Sequence, residues 1–527
     1  MSDKGEKDFE DMTEEELRSA LEKRLKNQTS PKKAPNYADS KQFENVAIYT
    51  PALSDGYIKT VERLEEKEKS TDNPFAQFGF GADDLKFINP KSRLCFYPWV
   101  LFSGGQGAKN EAAAKDVNWV TKRNNRDARV VVIGDSGGFQ IQQQTIPYDP
   151  KTTPERMLRW LEKVAEQSMI LDFPTGGIAT GAMVPHVEQL KVEGVNLTAQ
   201  AKKHGFSEGY MACLLRTEQN NDYFRDHRVP GATKLLNVIQ GRNEAESAFW
   251  YSRIKQYSQT KDHPFEGWAF AGKHSVQLSM TLRRLIQMRD DGLLKKEQLI
   301  HFLGVSTLKV GVALTFIQRA LREHTDATNV QLTFDSKSPV DAMVNGYQAI
   351  TGYDFSPDRW SIRTQRTNIA ANIKSDQYLL NMAGPWINRS ELRFPAQSTL
   401  AHLLKLKDLV GTENPKTGKA TPSALQQVLL VHHNTQALIE GFRRAYGYLD
   451  RKYALERPQS VRWLDEFIRL IFQTEAPMRL IAELEKRPEP PKKVVRDLKS
   501  MPKRSLRLID ECEAQLDALA YEGVFGK

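Results

Sequence analysis

The sequence predicts an α/β fold, a (β/α)8 TIM barrel with an N-terminal helical extension and a helical C-terminal region. Two observations carry this. From about residue 94 short continuous apolar runs alternate with amphipathic helical stretches, the pattern of parallel strands covered by helices on the outside. Most runs also end in glycine, aspartate or glutamine, and the reactive groups of such a barrel sit at the C-terminal ends of its strands.

The runs are LCFYPWVLF (94–102), RVVVIG (129–134), SMILD (168–172), LLNVIQ (235–240), GWAFA (267–271), IHFLGV (300–305) and NVQLTF (329–334). Seven strands are one short of a barrel. ENVAIYT (44–50) supplies the eighth, with MACLL (211–215) as a rival that also reads as helix. An open doubly wound sheet is the alternative, disfavoured because no GxGxxG follows the early strands. Between strands, TPERMLRWLEKVAEQ reads as a helix capped by Thr153 with Pro154 at its first position.

Residues 9–28 read as an amphipathic helix, with Thr13 and Glu16 at capping-box spacing and Leu17, Leu21 and Leu25 on one stripe. TSPKKAPNYADSK then reads as a linker, and VERLEEKEKS (61–70) as a solvated helix. Beyond about residue 370 the chain is largely helical, with amphipathic stretches at 400–411, 423–445 and 461–472. PEPPKK (488–493) marks a solvated connection before a last helix around 505–520. The expected division is 1–43 for the N-terminal helix and linker, 44–370 for the barrel and 371–527 for the helical C-terminal region.

Of the 527 residues, 40% are hydrophobic and 27% charged, which excludes global disorder. Lys and Arg number 75 against 66 acidic residues, a net charge of +9 that favours a polyanionic partner. No window approaches the roughly 18 apolar residues of a membrane helix, and the start MSDKGEKDFEDMTEEE is acidic where a signal peptide is basic and then apolar. A soluble, cytoplasmic protein with no membrane partner is expected. Cys95, Cys213 and Cys512 lie too far apart for a metal ribbon or disulfide framework and read as buried free thiols.

The strand ends bring chemistry. Asp135, Asp172 and Asp335 each follow an apolar run. Alone, each reads as a turn former or helix cap; in a barrel, all three converge on one rim. Carboxylates facing one cavity suit chemistry at an anomeric carbon, one attacking as nucleophile and another handling protons around an oxocarbenium-like transition state. A third can accept paired hydrogen bonds from N1 and the exocyclic amine of guanine. The residues alone stop at glycosyl chemistry or a sugar- or nucleotide-binding barrel.

DSGGFQ (135–140) resembles the signature of the tRNA-guanine transglycosylase superfamily, and further segments match in order. LD (171–172) resembles the family's base-reading segment, VIQG (238–241) its IVQGG, GWAFAG (267–272) its GYAIGG, FLGV (302–305) its LMGVG and FD (334–335) its nucleophile segment. LAHLLKLKDLVG and VLLVHHNTQALIEGFRRA are similar to its terminal leucine-rich and IHN helices. The resemblance spans residues 94–445 through short motifs. It implies a TIM barrel that exchanges a guanine of a nucleic acid for a free 7-deazaguanine base by double displacement; for this chain no ATP or metal cofactor is expected. Carried over by position, Asp335 would be the nucleophile and Asp135 the general acid/base. Asp172, Gln240 and Gly241 would read the base edge, with Ser136 and the backbone at Gly272 assisting and Phe139 stacking on the base.

The departures concern the polymer. Members acting on tRNA carry a CxCxxC cluster after the nucleophile, closed by the IHN histidine around zinc. Here no cysteine lies between Asp335 and His402, and His432 and His433 stand without thiolate partners; they are expected to be packed or solvent-facing. Lys273 replaces an apolar residue of the family. A cysteine-poor member with an N-terminal extension resembles the branch that inserts 7-deazaguanines, here the 7-cyano form, into bacterial or phage DNA. DNA is thus the expected partner, with tRNA as alternative and a catalytically silent nucleic-acid-binding paralogue as a third reading. Pairing into a homodimer follows from the tRNA-acting relatives. RTQR (363–366), KTGK (416–419) and PKKVVR (491–496) are candidate phosphate contacts.

Overall fold

The computed structural model describes residues 34–39, 43–304, 307–355, 360–383, 393–413, 420–450, 458–473, 481, 483–489, 491–500 and 504–520. The expected helix at 9–28 and the KTGK patch lie outside these.

Eight parallel strands close into a barrel in sequence order: β1 (Ile48–Leu53), β2 (Trp99–Ser103), β3 (Val131–Asp135), β4 (Gln167–Met169), β5 (Lys234–Ile239), β6 (Gly267–Phe270), β7 (Leu299–Phe302) and β8 (Gln331–Ser336). β8 returns to β1 with Thr50 opposite Asp335. Every expected strand is present, including 44–50 as the first. MACLL is helical, within a long helix over Glu208–His227.

The helices that cover the barrel and carry the argument are α1 (Asp55–Glu68), α2 (Gly138–Gln142), α3 (Thr153–Val164), α4 (Glu208–His227), α5 (Glu244–Ile254), α6 (Leu278–Asp290), α7 (Leu308–His324) and α8 (Ser338–Val344). α1 is more than a solvated helix: Tyr57, Ile58, Val61 and Leu64 are buried on its inner face. In α3 the cap falls one residue earlier than expected, at Thr152, so Thr153 opens the helix and Pro154 is second. The Thr153 hydroxyl instead accepts the Asp149 N–H at 2.9 Å and closes the preceding turn.

Behind the barrel lies a small sheet that sequence analysis did not anticipate, two of its strands inside the stretch expected to be barrel and the third in the region expected to be helical. β9 (Gln348–Phe355) pairs antiparallel with β10 (Trp360–Arg366) and β11 (Arg393–Pro395). Only Thr399–Leu403 of the 400–411 stretch forms an α-helix. α9 (Ala424–Leu449) and α10 (Gln459–Phe472) follow, and the last segment is two helices, Arg504–Glu511 and Glu513–Ala520. The linker residue Tyr37 is anchored, its hydroxyl donating to Glu440 Oε1 on α9 at 2.5 Å.

α9 is buried along most of its length and meets the barrel through aromatic side chains. Phe442 packs on Tyr49 of β1 and Phe334 of β8, at centroid distances of 5.4 and 4.9 Å. Since Phe334 points outward to α9, its neighbours Thr333 and Asp335 point into the barrel. Cys95 and Cys213 are buried free thiols as expected, whereas Cys512 is only partly buried. No helix among the described residues is long and apolar enough to cross a membrane.

Phe442→Ala should remove about 3–5 kcal/mol of stability and lower the Tm by several degrees, while Val344→Ala at a largely exposed site should leave it nearly unchanged. Thermal unfolding followed by circular dichroism reads both.

Candidate functional site

The C-terminal ends of the strands gather the expected carboxylates. Asp135 is the last residue of β3, in register with Ser103 at the end of β2. The Ser103 hydroxyl donates to Asp135 Oδ2 at 2.6 Å, and the Gly137 N–H adds a second bond. Asp172 follows the short β4, where Oδ2 accepts the Gln240 side-chain N–H at 2.7 Å. Asp335 is the penultimate residue of β8, and its Oδ1 accepts the Gly304 N–H at 3.0 Å. His301 of β7 stands 3.3 Å from the same oxygen through Nε2, with Nδ1 2.9 Å from the Thr333 hydroxyl.

The three carboxylates feel one another. Burial pushes Asp135 above the usual carboxylate range, against the pull of its Ser103 and Gly137 bonds, and the Asp335 carboxylate pushes it further. Asp135 keeps some contact with solvent while protein crowds around it. Burial pushes Asp172 up to about 7, with the Gln240 bond opposing and the Asp135 charge adding to the rise. Asp172 and Asp335 are nearly closed to solvent.

Two glycines allow this packing. A Cβ on Gly138 would lie 2.0 Å from the Asp172 carbonyl oxygen, so the ends of β3 and β4 meet only because that side chain is absent. Gly272, at φ +63°, faces Gln240 Oε1 at a distance that a Cβ would cut to 2.8 Å. Its left-handed backbone favours glycine independently.

The other expected residues surround this cluster in sequence and space. Ser136 is fully buried, and its hydroxyl has no hydrogen-bond partner among the described residues. Gln240 is buried at the end of β5, followed by Gly241 at φ +151°. Phe139, on α2, is 60% exposed, a large apolar ring left open beside the rim. Lys273 is exposed next to Gly272.

Sequence reasoning missed Ser103, His301 and Thr333. The signal for His301 was present, since in IHFLGV it alternates with Ile300 and Phe302 and so projects to the opposite face of its strand. Ser103 gave no such signal, because its role depends on the β2–β3 register.

His432 and His433 are packed, one of the two expected outcomes. His432 stacks on Phe87 at 4.4 Å. His433 Nδ1 lies 2.6 Å from the Ser398 hydroxyl and Nε2 2.8 Å from the Ile350 carbonyl. Among the described residues no group of three or more His, Cys, Asp or Glu side chains is arranged to hold a metal ion. Of the basic patches, RTQR lies on β10, where Arg363 faces Asp354 at 3.9 Å and Arg366 is exposed; PKKVVR leads into a helix over Lys492–Ser500.

These features define a closed parallel barrel with three interacting carboxylates at its mouth. No family model matches the chain, and no curated protein is significantly similar to it.

The raised Asp172 gives a stability prediction with a definite sign. The unfolded chain ionises this carboxyl near its ordinary value of about 4, whereas the folded chain holds the proton to about 7. Between these values the folded state binds more protons, so this group's contribution to stability falls as pH rises and then levels off above 7. Asp172→Asn should therefore raise the Tm relative to wild type more at pH 8 than at pH 5. An equal change at both would show that Asp172 ionises normally.

Proposed function

We propose that the protein is a DNA-guanine transglycosylase, a glycosyltransferase that exchanges guanine in DNA for a free 7-deazaguanine, the 7-cyano form first among candidates. The observation that carries this is the cluster itself: Asp135, Asp172 and Asp335 on one rim, each with its own donors and two of them raised in proton affinity. Titrating groups pushed apart by their surroundings mark acid/base assignments, and a cavity lined by carboxylates suits an oxocarbenium-like reaction.

The target base must leave the helical stack before any side chain can reach C1′. In the pocket, Phe139 offers an open ring to the base face. Asp172, held by Gln240, accepts from N1 and the exocyclic amine once ionised, and the unpartnered Ser136 hydroxyl provides one more polar contact. Asp335 attacks C1′ as the C1′–N9 bond breaks, while Asp135 delivers a proton to the departing guanine. The bond electrons leave with the base, and the sugar stays esterified to Asp335. After exchange of bases, Asp135 takes the N9 proton of the incoming 7-deazaguanine, whose N9 attacks C1′ and releases the Asp335 carboxylate. Atoms and charge balance over the two displacements, and the cycle needs no ATP.

DNA is favoured over tRNA because the polypeptide that would hold the zinc element of tRNA-acting enzymes supplies packed histidines and no cysteines, and because the net charge of +9 suits a polyanion.

Incubation with guanine-containing DNA, tRNA and radiolabelled 7-cyano-7-deazaguanine should place label in DNA. Label in tRNA alone overturns the choice of polymer, and label in neither overturns the assignment to this base exchange. Asp335→Ala should abolish both label incorporation and the denaturation-resistant DNA adduct while remaining folded.

The rate of exchange at limiting base should rise with pH through about 7, because the ionised Asp172 is the form that accepts from guanine. In Asp172→Asn that rise should be lost and the residual rate should fall about a hundredfold, for two hydrogen bonds at about 1.4 kcal/mol each.

A further inference from the structure

We propose that His301 is a positioning residue for the nucleophile, holding the plane of the Asp335 carboxylate by donating its Nε2–H to Oδ1. The proposal rests on the reading of Asp335 given above and extends it to a residue that the motif matches leave out.

His301 is fully buried in β7, directly opposite Thr333 of β8. Its two ring nitrogens have separate partners, the Thr333 hydroxyl at 2.9 Å from Nδ1 and Asp335 Oδ1 at 3.3 Å from Nε2. These partners fix the proton. A carboxylate oxygen can only accept, so the nitrogen facing it has to carry the hydrogen. The Thr333 hydroxyl can donate to the bare Nδ1 and thereby holds that tautomer, in the way a partner on one ring nitrogen sets the state of the other.

The Gly304 N–H reaches the same Oδ1 from the loop after β7. Two donors from different directions on one oxygen restrict rotation of the carboxylate about its Cβ–Cγ bond. A nucleophile that has to meet C1′ in line gains from this restriction, since misplacement by about 1 Å costs on the order of a hundredfold in rate. His301 is also within electrostatic reach of Asp135, so the imidazole neighbours both groups proposed for the two displacements.

The test compares wild type, His301→Leu, His301→Gln and Thr333→Val, each checked for its Tm. Single-turnover trapping of the DNA adduct gives the rate of attack, and steady-state exchange gives KM for the free base. Loss of the donor in His301→Leu should slow attack about tenfold to a hundredfold with KM unchanged. His301→Gln, whose amide can donate from the place of Nε2, should recover part of the loss. Thr333→Val, nearly isosteric, should slow attack less than His301→Leu. Attack at the wild-type rate in His301→Leu, or equal losses in the Leu and Gln variants, overturns the proposal.

A measurement independent of activity separates this inference from the reading beneath it. Imidazole 15N spectra of labelled protein should show the His301 proton on Nε2, with a shift on Asp335→Asn; an Nε2 without a proton overturns the proposal. If wild-type protein traps no adduct on any guanine-containing polymer, the nucleophile reading falls and the role in attack falls with it. The spectrum still reports whether His301 donates to Asp335.

Discussion

Crowding carboxylates inside a protein is costly, and the mouth of this barrel is organised around that cost. An ionised carboxylate taken out of water loses several kcal/mol of hydration after relaxation, and a second one nearby adds repulsion. The protein answers in two ways. It aims donors at each carboxylate: Ser103 and Gly137 at Asp135, Gln240 at Asp172, Gly304 and His301 at Asp335. It also leaves Asp135 and Asp172 easier to protonate than free carboxyls. A cluster arranged only for stability would replace such groups by well-packed apolar side chains. Their retention, with donors that orient them, fits a site where charge has to appear and disappear.

The donors can be aimed because the barrel is closed. Ser103 meets Asp135 through the β2–β3 register, His301 meets Thr333 through the β7–β8 register, and Thr50 stands opposite Asp335 where β8 returns to β1. A slip of one residue in any of these pairs would turn the side chains of one strand to the other face. What holds β1 and β8 from behind is α9, through Phe442 against Tyr49 and Phe334. The C-terminal region thus acts on the site at a distance, by fixing the strands from which Asp335 and its neighbours project.

Fold and site differed in how much the sequence revealed. Seven strands could be read outright, and the eighth against one rival, because parallel barrel strands are buried on both faces and therefore appear as runs dominated by apolar residues, such as VVVI and LLNVI. The sheet of β9, β10 and β11 gave no comparable signal. QAITGYDF and WSIRTQR mix apolar and polar residues, the first around a glycine, and the sheet is completed by β11, which lies far along the chain. At the site, Asp135, Asp172 and Asp335 announced themselves by following apolar runs. Ser103 and Thr333 did not, since a hydroxyl at a strand end acquires meaning only from the strand beside it.

The two histidines of α9 show the same dependence on context. In sequence, HHN and the following TQ look like polar residues stranded in an apolar helix. In the fold, Asn434 accepts the Ile350 N–H and donates to the Gln348 carbonyl, His433 reaches the Ile350 carbonyl, and Gln436 accepts the Thr399 N–H. These buried side chains serve backbone groups of β9 and of the segment at Thr399. A buried backbone group left without a partner costs about as much as a lost hydrogen bond, so polarity in the core of α9 is what lets an irregular sheet pack against a helix. The arrangement holds through neutral side chains: burial lowers the proton affinities of His432 and His433 to about 3 and about 4, so near neutral pH both rings carry no charge into a core that could not solvate it.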